Sequence, residues 1–555
     1  MITAIRSAAE TMNGAAAQEA ATDGALSPAV APGAVSLADA SGGAGLVQSV
    51  DWLAIAPPTI TAVVGLILLV ADLFVPEKRK GLLGYGAVAG LTVAIISLVP
   101  LLGEDRTTFC LTTDTTACSY TADAFALSIQ LLVLGGALLT ALLSLHRTRD
   151  ELPAGEYWFL LLSSTAGAAL LPASRDLATL IVALEVASLP AFALVGMRRG
   201  DRLSSESALK FFLSSVTATA VTLLGVSFVY ATTGSLHLTR IAANLGDVSG
   251  QLETLARTGV ALTLIGFAFK TAAVPFHFWV PDTYVGAPLP IAAFLSVIGK
   301  AVGFSGLVLV TVIAFPGYAD VWGPAIAVLA ALTMTAGNAA ALRQSASRDW
   351  SAVRLLAWSS VAQAGYILVP IAAAAYAGAD QIGSTVAYAL MYAVVNLGAF
   401  AVVTVVSRTS PRNRLSDYRG LWYTRPLTAL TLGFFLLCLA GLPPGIIGLF
   451  AKVTVFSSAV DAGLGWLAVV MGVNVVIALY YYLKWTAILF QAPGTADAGA
   501  ESAGAESGGV AVSGAGTLVR TPVAVTTAIA LTAAVGVLLS GYPQLVLRFA
   551  ATSLF

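Results

Sequence analysis

From residue 51 to the C-terminus, one apolar stretch of roughly 20 residues follows another, the length a helix needs to cross a hydrocarbon core of about 30 Å. Inside a bilayer no water satisfies backbone N–H and C=O groups, so such stretches are helices that pack as a bundle. The runs lie near 54–75, 82–102, 121–145, 157–174, 177–197, 208–232, 257–280, 288–315, 322–342, 352–375, 381–407, 427–460, 464–490 and 521–546, which predicts about 14 transmembrane helices. Only 10% of the 555 residues are charged, against about a quarter in soluble domains. The expected fold class is an all-α polytopic membrane protein.

The same composition excludes several functions. A net charge of −1 with scattered basic residues gives no concentrated basic face for nucleic acid. Cys110, Cys118 and Cys438 form no CxxC pair and His146, His237 and His277 lie apart, so no metal, haem or iron–sulfur spacing is present. "GYGAVAG" (84–90) superficially resembles a nucleotide loop, but it sits inside an apolar run with no preceding strand, which favours close helix packing.

Six sections organise the chain. Residues 1–50, rich in Ala, Gly and Ser without the apolar core of a signal peptide, are expected to be a disordered tail. Residues 51–150 hold helices 1–3, 151–317 helices 4–8 and 318–491 helices 9–13; 492–520 is a low-complexity linker, and 521–555 carries helix 14. Seventeen Lys and Arg follow odd-numbered helices and four follow even-numbered ones, which puts the odd loops in the cytoplasm and both termini outside. "CLTTDTTAC" then lies in an oxidising compartment, where Cys110 and Cys118 either pair or remain free thiols.

Five basic residues remain inside the spans: Lys210, Lys270, Lys300, Lys452 and Lys484. Facing lipid, five lysines would cost roughly 12–18 kcal/mol, so they must meet protein, a partner charge or water. Lys210 and Lys484 lie near the cytoplasmic ends of their helices, where snorkelling is the alternative to function; Lys270, Lys300 and Lys452 lie too deep for that. The clear mid-span carboxylate is Glu185, while Asp72 and Asp123 lie at span ends, where water is expected to meet them. A low dielectric favours the neutral form of a buried acid or amine and a close partner favours the charged form, so a Lys–Glu pair titrates jointly. That suits proton relay, although a purely structural pair stays open.

In "GFAFKTAAVPFHFWVPD" (266–282), Pro275 removes an N–H and clashes with the carbonyl of Thr271, breaking helix 7 just beyond Lys270. Backbone groups freed at that depth need protein or water. His277 follows the break and can exchange a proton near neutral pH; hydrogen-bonded packing is the alternative role. "CLAGLPPGIIGLFAKVTVF" repeats the device in helix 12, with Pro443 and Pro444 before Lys452. Two interrupted helices point to a transporter built from repeats. Lys270 and Lys452 are 182 positions apart and Lys300 and Lys484 are 184 apart, which suggests helices 4–8 and 9–13 as copies. With five helices each, the copies are inverted.

"FKTAAVPFHFWVPDTYVGAPLP" (269–290), "VALEVASLPAFALVG" (182–196), "ALKFFLSS" (208–215), "LLAWSSVAQAGYIL" (355–368) and "GLPPGIIGLFAK" (441–452) resemble the antiporter-like membrane subunits of respiratory complex I, shared with multi-subunit sodium/proton antiporters. The resemblance implies a proton-translocating subunit of NADH:quinone oxidoreductase in the bacterial cell membrane. It assigns the proton pathway to Glu185 and its partner Lys270, to Lys210, His277, Lys300 and Lys452, and least directly to Lys484. It implies no cofactor in this chain, flavin, iron–sulfur clusters and quinone belonging to other subunits. The implied partners are neighbouring antiporter-like and small membrane-arm subunits and the lipid bilayer. The rival functions are a subunit of a multi-subunit cation/proton antiporter and a purely structural membrane-arm component.

Overall fold

A computed structural model describes residues 50–111, 114–146, 148, 152–492, 521–552 and 554–555. All but residue 50 of the expected tail (1–50) and all but residue 492 of the expected linker (492–520) lie outside the described residues. The first elements are α1 (Ala56–Asp72) and α2 (Gly81–Ile96), followed by the strands β1 (Arg106–Leu111) and β2 (Asp114–Ala122). The strands pair antiparallel with Cys110 opposite Cys118, and the two cysteines form a disulfide. Next come α3 (Ala124–Ser144), α4 (Ala154–Leu170), α5 (Leu177–Val195) and α6 (Arg202–Thr233). A short helix, Leu238–Leu245, leads to α7 (Gln251–Thr271); a second short helix, Trp279–Gly286, leads to α8 (Leu289–Ala314).

The rest of the chain forms α9 (Ala319–Leu342), α10 (Ser351–Ala377), α11 (Ile382–Val406), α12 (Pro426–Ala440), the half-helix Ile446–Asp461, α13 (Gly465–Phe490) and α14 (Val523–Gly541). Among the described residues, 11 helices are long and apolar enough to cross a membrane. Two shorter apolar helices are α1 and α12; α12 is short because its run is broken.

Burial separates the middle of the bundle from its rim. The apolar windows of α8, α10 and α11 are 89%, 94% and 89% buried, whereas that of α14 is 22% buried. A lipid-facing helix keeps an apolar exterior because its solvent is itself apolar, so α8, α10 and α11 are the internal helices. In α2, Gly84 packs against Leu145 and Trp158, and Gly90 against Val64. Those contacts support close packing as the role of "GYGAVAG".

The ends of the early helices differ from expectation. Asp123 accepts a hydrogen bond from Ala126 N as the α3 cap, and its carboxylate pairs with the largely buried Arg175. Asp72 pairs with Lys80 at 3.3 Å. Neither acid is simply hydrated, because each lies where an interhelical turn brings an opposite charge. His237 lies within 3.1 Å of the Cys118 carbonyl, so the disulfide hairpin is tied to the turn after α6.

Candidate functional site

Both broken helices stop at a residue in the left-handed conformation, Ala272 (φ 68°) after α7 and Gly441 (φ 84°) after α12. The last carbonyls of a helix have no partner within it and carry the negative end of its dipole, so in an apolar bundle each break demands donors. Lysines supply them at both ends.

At the first break the donor comes from another helix. A Cβ on Gly303 would stand 2.3 Å from Thr271 N, so only glycine lets α8 press this closely on the end of α7. One turn earlier on α8, the buried Lys300 donates to the Thr271 carbonyl at 3.4 Å. The backbone around it departs from α-geometry: Leu295–Gly299 and Leu309–Ala314 are π-helical, a rare form often found at functional sites.

At the second break the donor comes from the continuation of the same helix. A Cβ on Gly448 would lie 1.6 Å from the Cys438 carbonyl, so this glycine seats the half-helix Ile446–Asp461 against the end of α12. One turn beyond, the buried Lys452 donates to the carbonyls of Leu439 at 2.9 Å and Ala440 at 2.7 Å. Its ammonium also lies 6.0 Å from the centre of the Tyr366 ring.

Lys270 is buried in the last turn of α7, where it donates to Ser188 Oγ at 2.7 Å, with its ammonium 5.8 Å and 5.2 Å from the ring centres of Phe192 and Phe211. The expected direct Glu185–Lys270 pair is not formed. Glu185 is half-buried on the α6 side of α5, where it accepts from Thr219 Oγ1 at 2.7 Å. Ser188, one helical turn further along α5, is the group that meets Lys270. Spacing could place the acid and the lysine on neighbouring helices, but it could not show that the serine is the one that meets the lysine.

The other expected residues separate from this cluster. His277 is half-buried beyond the first break, its ring 5.5 Å from Trp358 and its Nδ1 buried without a hydrogen-bond partner among the described residues. Lys210 is exposed and pairs with Glu206 at 2.8 Å and Asp282 at 3.0 Å. Lys484 is exposed as well. Both stand near helix ends where a long side chain reaches the surface, so the buried set is Lys270, Lys300 and Lys452 rather than all five.

The lysine spacing does not match the spacing of the breaks. Ala272 and Gly441 are 169 positions apart, whereas Lys270 and Lys452 are 182 apart. Lys270 precedes its break and Lys452 follows its own, so the two are not positional equivalents. Sequence reading also missed Asp282, which joins Lys210 on α6 to Arg354 on α10 at 3.0 and 3.4 Å. Its signal was a carboxylate directly after Pro281 within the most distinctive motif of the chain. Ser188 had no signal, being one of many small residues in an apolar helix.

Paired half-helices with lysines buried at their ends, inside an apolar bundle, define an antiporter-type membrane subunit. Residues 174–478 match the family described as NADH:quinone oxidoreductase/Mrp antiporter, transmembrane. The chain is 76% identical over 510 residues to NADH-quinone oxidoreductase subunit N 2 of Streptomyces griseus, covering 92% of this chain and 95% of that one. It is 43% identical to NADH-quinone oxidoreductase subunit N of Salinispora tropica, with 80% and 86% covered. The chain belongs to the NADH-quinone oxidoreductase subunit N family.

Solved structures agree in fold. A chain of respiratory complex I from Thermus thermophilus with bound aureothin matches with a TM-score of 0.65 and 30% identity, over 88% of this chain and 98% of that one. A chain of the Mrp complex from Dietzia shares the fold at a TM-score of 0.73 and 22% identity, over 90% and 97%.

Proposed function

We propose that this chain is a proton-translocating, non-redox membrane-arm subunit of an NADH:quinone oxidoreductase in the bacterial cell membrane. The observation that carries the reading is the placement of Lys300 and Lys452 at the ends of two broken helices. There, each amine is held by backbone carbonyls in a water-poor interior and can gain or lose a proton without losing its seat.

In this reading the chain crosses the membrane fourteen times, with α4–α8 and α9–α13 as inverted repeats and both termini outside the cytoplasm. Protons enter near Lys210 and His277, reach Lys270, pass to the central Lys300 and leave by way of Lys452. Lys484, on α13, is the least direct member of the set. Glu185 would switch the intake by closing on Lys270 in place of Ser188, under the influence of neighbouring antiporter-like and small membrane-arm subunits. Moving one charge against 100 mV costs about 2.3 kcal/mol. That energy comes from electron transfer by flavin, iron–sulfur clusters and quinone held in other subunits.

The test is proton pumping against NADH:quinone turnover in membrane vesicles carrying Lys300→Ala, with assembly checked on a native gel. An assembled complex in which pumping and turnover fall together supports the route. An assembled complex with wild-type pumping removes Lys300 from it.

A further inference from the structure

A cavity of about 290 Å³ that none of the lysines lines lies between α3, α11 and α14, with the short C-terminal helix Gln544–Ala550 at one end. Its lining side chains are apolar except for Thr532, whose hydroxyl is already given to the Ala528 carbonyl at 2.9 Å. An apolar cavity does not hold water, and this one offers a ligand no hydrogen bond. Gly135 on α3 makes part of the room, because a Cβ built there would meet nothing within 4 Å.

The lining runs from Leu131 to Leu139 on α3 and from Leu531 to Leu539 on α14. At 1.5 Å per residue that is about 12 Å along each helix, close to one leaflet of a hydrocarbon core about 30 Å thick. A volume of 290 Å³ over that length gives a cross-section of roughly 24 Å², wide enough for one alkyl chain and far narrower than a helix about 10–12 Å across. The cavity meets the bilayer beside α14, whose apolar window is 22% buried and whose lining residue Leu531 is 43% exposed. At the other end, a Cβ on Gly383 would stand 2.1 Å from the Phe549 carbonyl oxygen, so this glycine seats the C-terminal helix on the first turn of α11. On that helix Arg548 lies three residues beyond the lining residue Leu545 and so on the same side. Arg548 is exposed and forms no ion pair among the described residues.

We propose that this cavity seats one acyl chain of an anionic phospholipid, with the phosphate of its headgroup on Arg548. The inference is independent of the proton route and needs only that the chain spans a membrane. Guanidinium is a bidentate donor for phosphate, and this one has no carboxylate to hold it. The lining suits a tail and nothing more polar: the ring oxygens of a quinone would lie there unpaired, at a cost that an alkyl chain does not meet. The seated chain fills the gap between the rim helix α14 and the internal helix α11, so the lipid serves as a packing element of the subunit.

The experiment places the intact complex in vesicles that contain phosphatidylglycerol with a photoactivatable group on its tail, or phosphatidylcholine with the same tail, and maps the labelled peptides by mass spectrometry. Wild type should be labelled within 131–139 and 531–539. Phosphatidylglycerol should label roughly fivefold more than phosphatidylcholine, the factor that about 1 kcal/mol for one basic residue near an anionic lipid supplies. Arg548→Gln should bring the two lipids to equal labelling. Gly135→Leu fills the cavity while improving helix propensity, and it should lose most of the labelling of both segments with assembly intact on a native gel. Leu531→Trp, at the lipid-facing side, stands in if Gly135→Leu fails to assemble. Unlabelled segments in wild type would give the cavity to another occupant, such as a neighbouring subunit's side chains or a quinone tail, and overturn the seat. Labelling unchanged in the assembled filling variant would overturn it as well. Equal labelling of wild type by the two lipids would overturn the role of Arg548 and the choice of an anionic lipid.

Discussion

The two broken helices solve one problem in two ways. At the end of α7, Thr271 receives a single long bond from Lys300, which reaches in from α8. At the end of α12, Leu439 and Ala440 receive two short bonds from Lys452, which belongs to the continuation of the same helix. The first seat couples two helices through one weak contact, so a small movement of α8 against α7 changes what Lys300 touches. The second is internal to one helix and keeps its lysine wherever that helix goes. The first break therefore suits a moving part and the second a fixed one.

The strongest test of that difference is Lys300→Met, which removes the amine but keeps apolar volume. Loss of a proton-transfer group is expected to reduce coupled turnover on the order of a hundredfold, measured as NADH oxidation and pumping in vesicles. A smaller loss than in Lys452→Met would invert the assignment of moving and fixed parts.

Next in size is Lys452→Arg. Guanidinium caps carbonyls well but stays protonated throughout the working range. If Lys452 only holds the helix end, the variant should be active; the relay reading instead expects an assembled complex with turnover down at least about tenfold. Tolerance of arginine would make the second break purely structural.

Ser188→Ala sharpens the comparison on the α7 side by removing the hydroxyl that Lys270 uses. A buried group left unsatisfied costs about 1–3 kcal/mol, so the thermal midpoint of the purified complex should fall. An unchanged midpoint would mean that Lys270 has another acceptor ready, Glu185 being the nearest in sequence. The smallest effect is expected of Lys210→Met: its two ion pairs are exposed and such pairs are worth about 0–1 kcal/mol each. A midpoint within experimental error of wild type is the expected result, and a large drop would assign the Asp282 cluster a structural weight the geometry does not.

The sequence by itself determined that the chain is a bundle of apolar, membrane-length helices, and with it the two breaks and the depth of three lysines. Apolar length, proline chemistry and the cost of a charge in hydrocarbon are local properties that need no partner. For the same reason "GLPPGIIGLFAK" marked both the second break and its lysine. What the sequence left undecided were pairings across helices. Only the tertiary structure placed Ser188 rather than Glu185 against Lys270, brought Lys300 to the α7 terminus, and exposed Lys210 and Lys484. Each of these depends on the rotation of one helix against another. In a bundle with apolar residues on nearly every face, hydrophobic periodicity does not set that rotation; at the α7–α8 contact it is Gly303, where the two backbones touch, that lets Lys300 reach the end of α7.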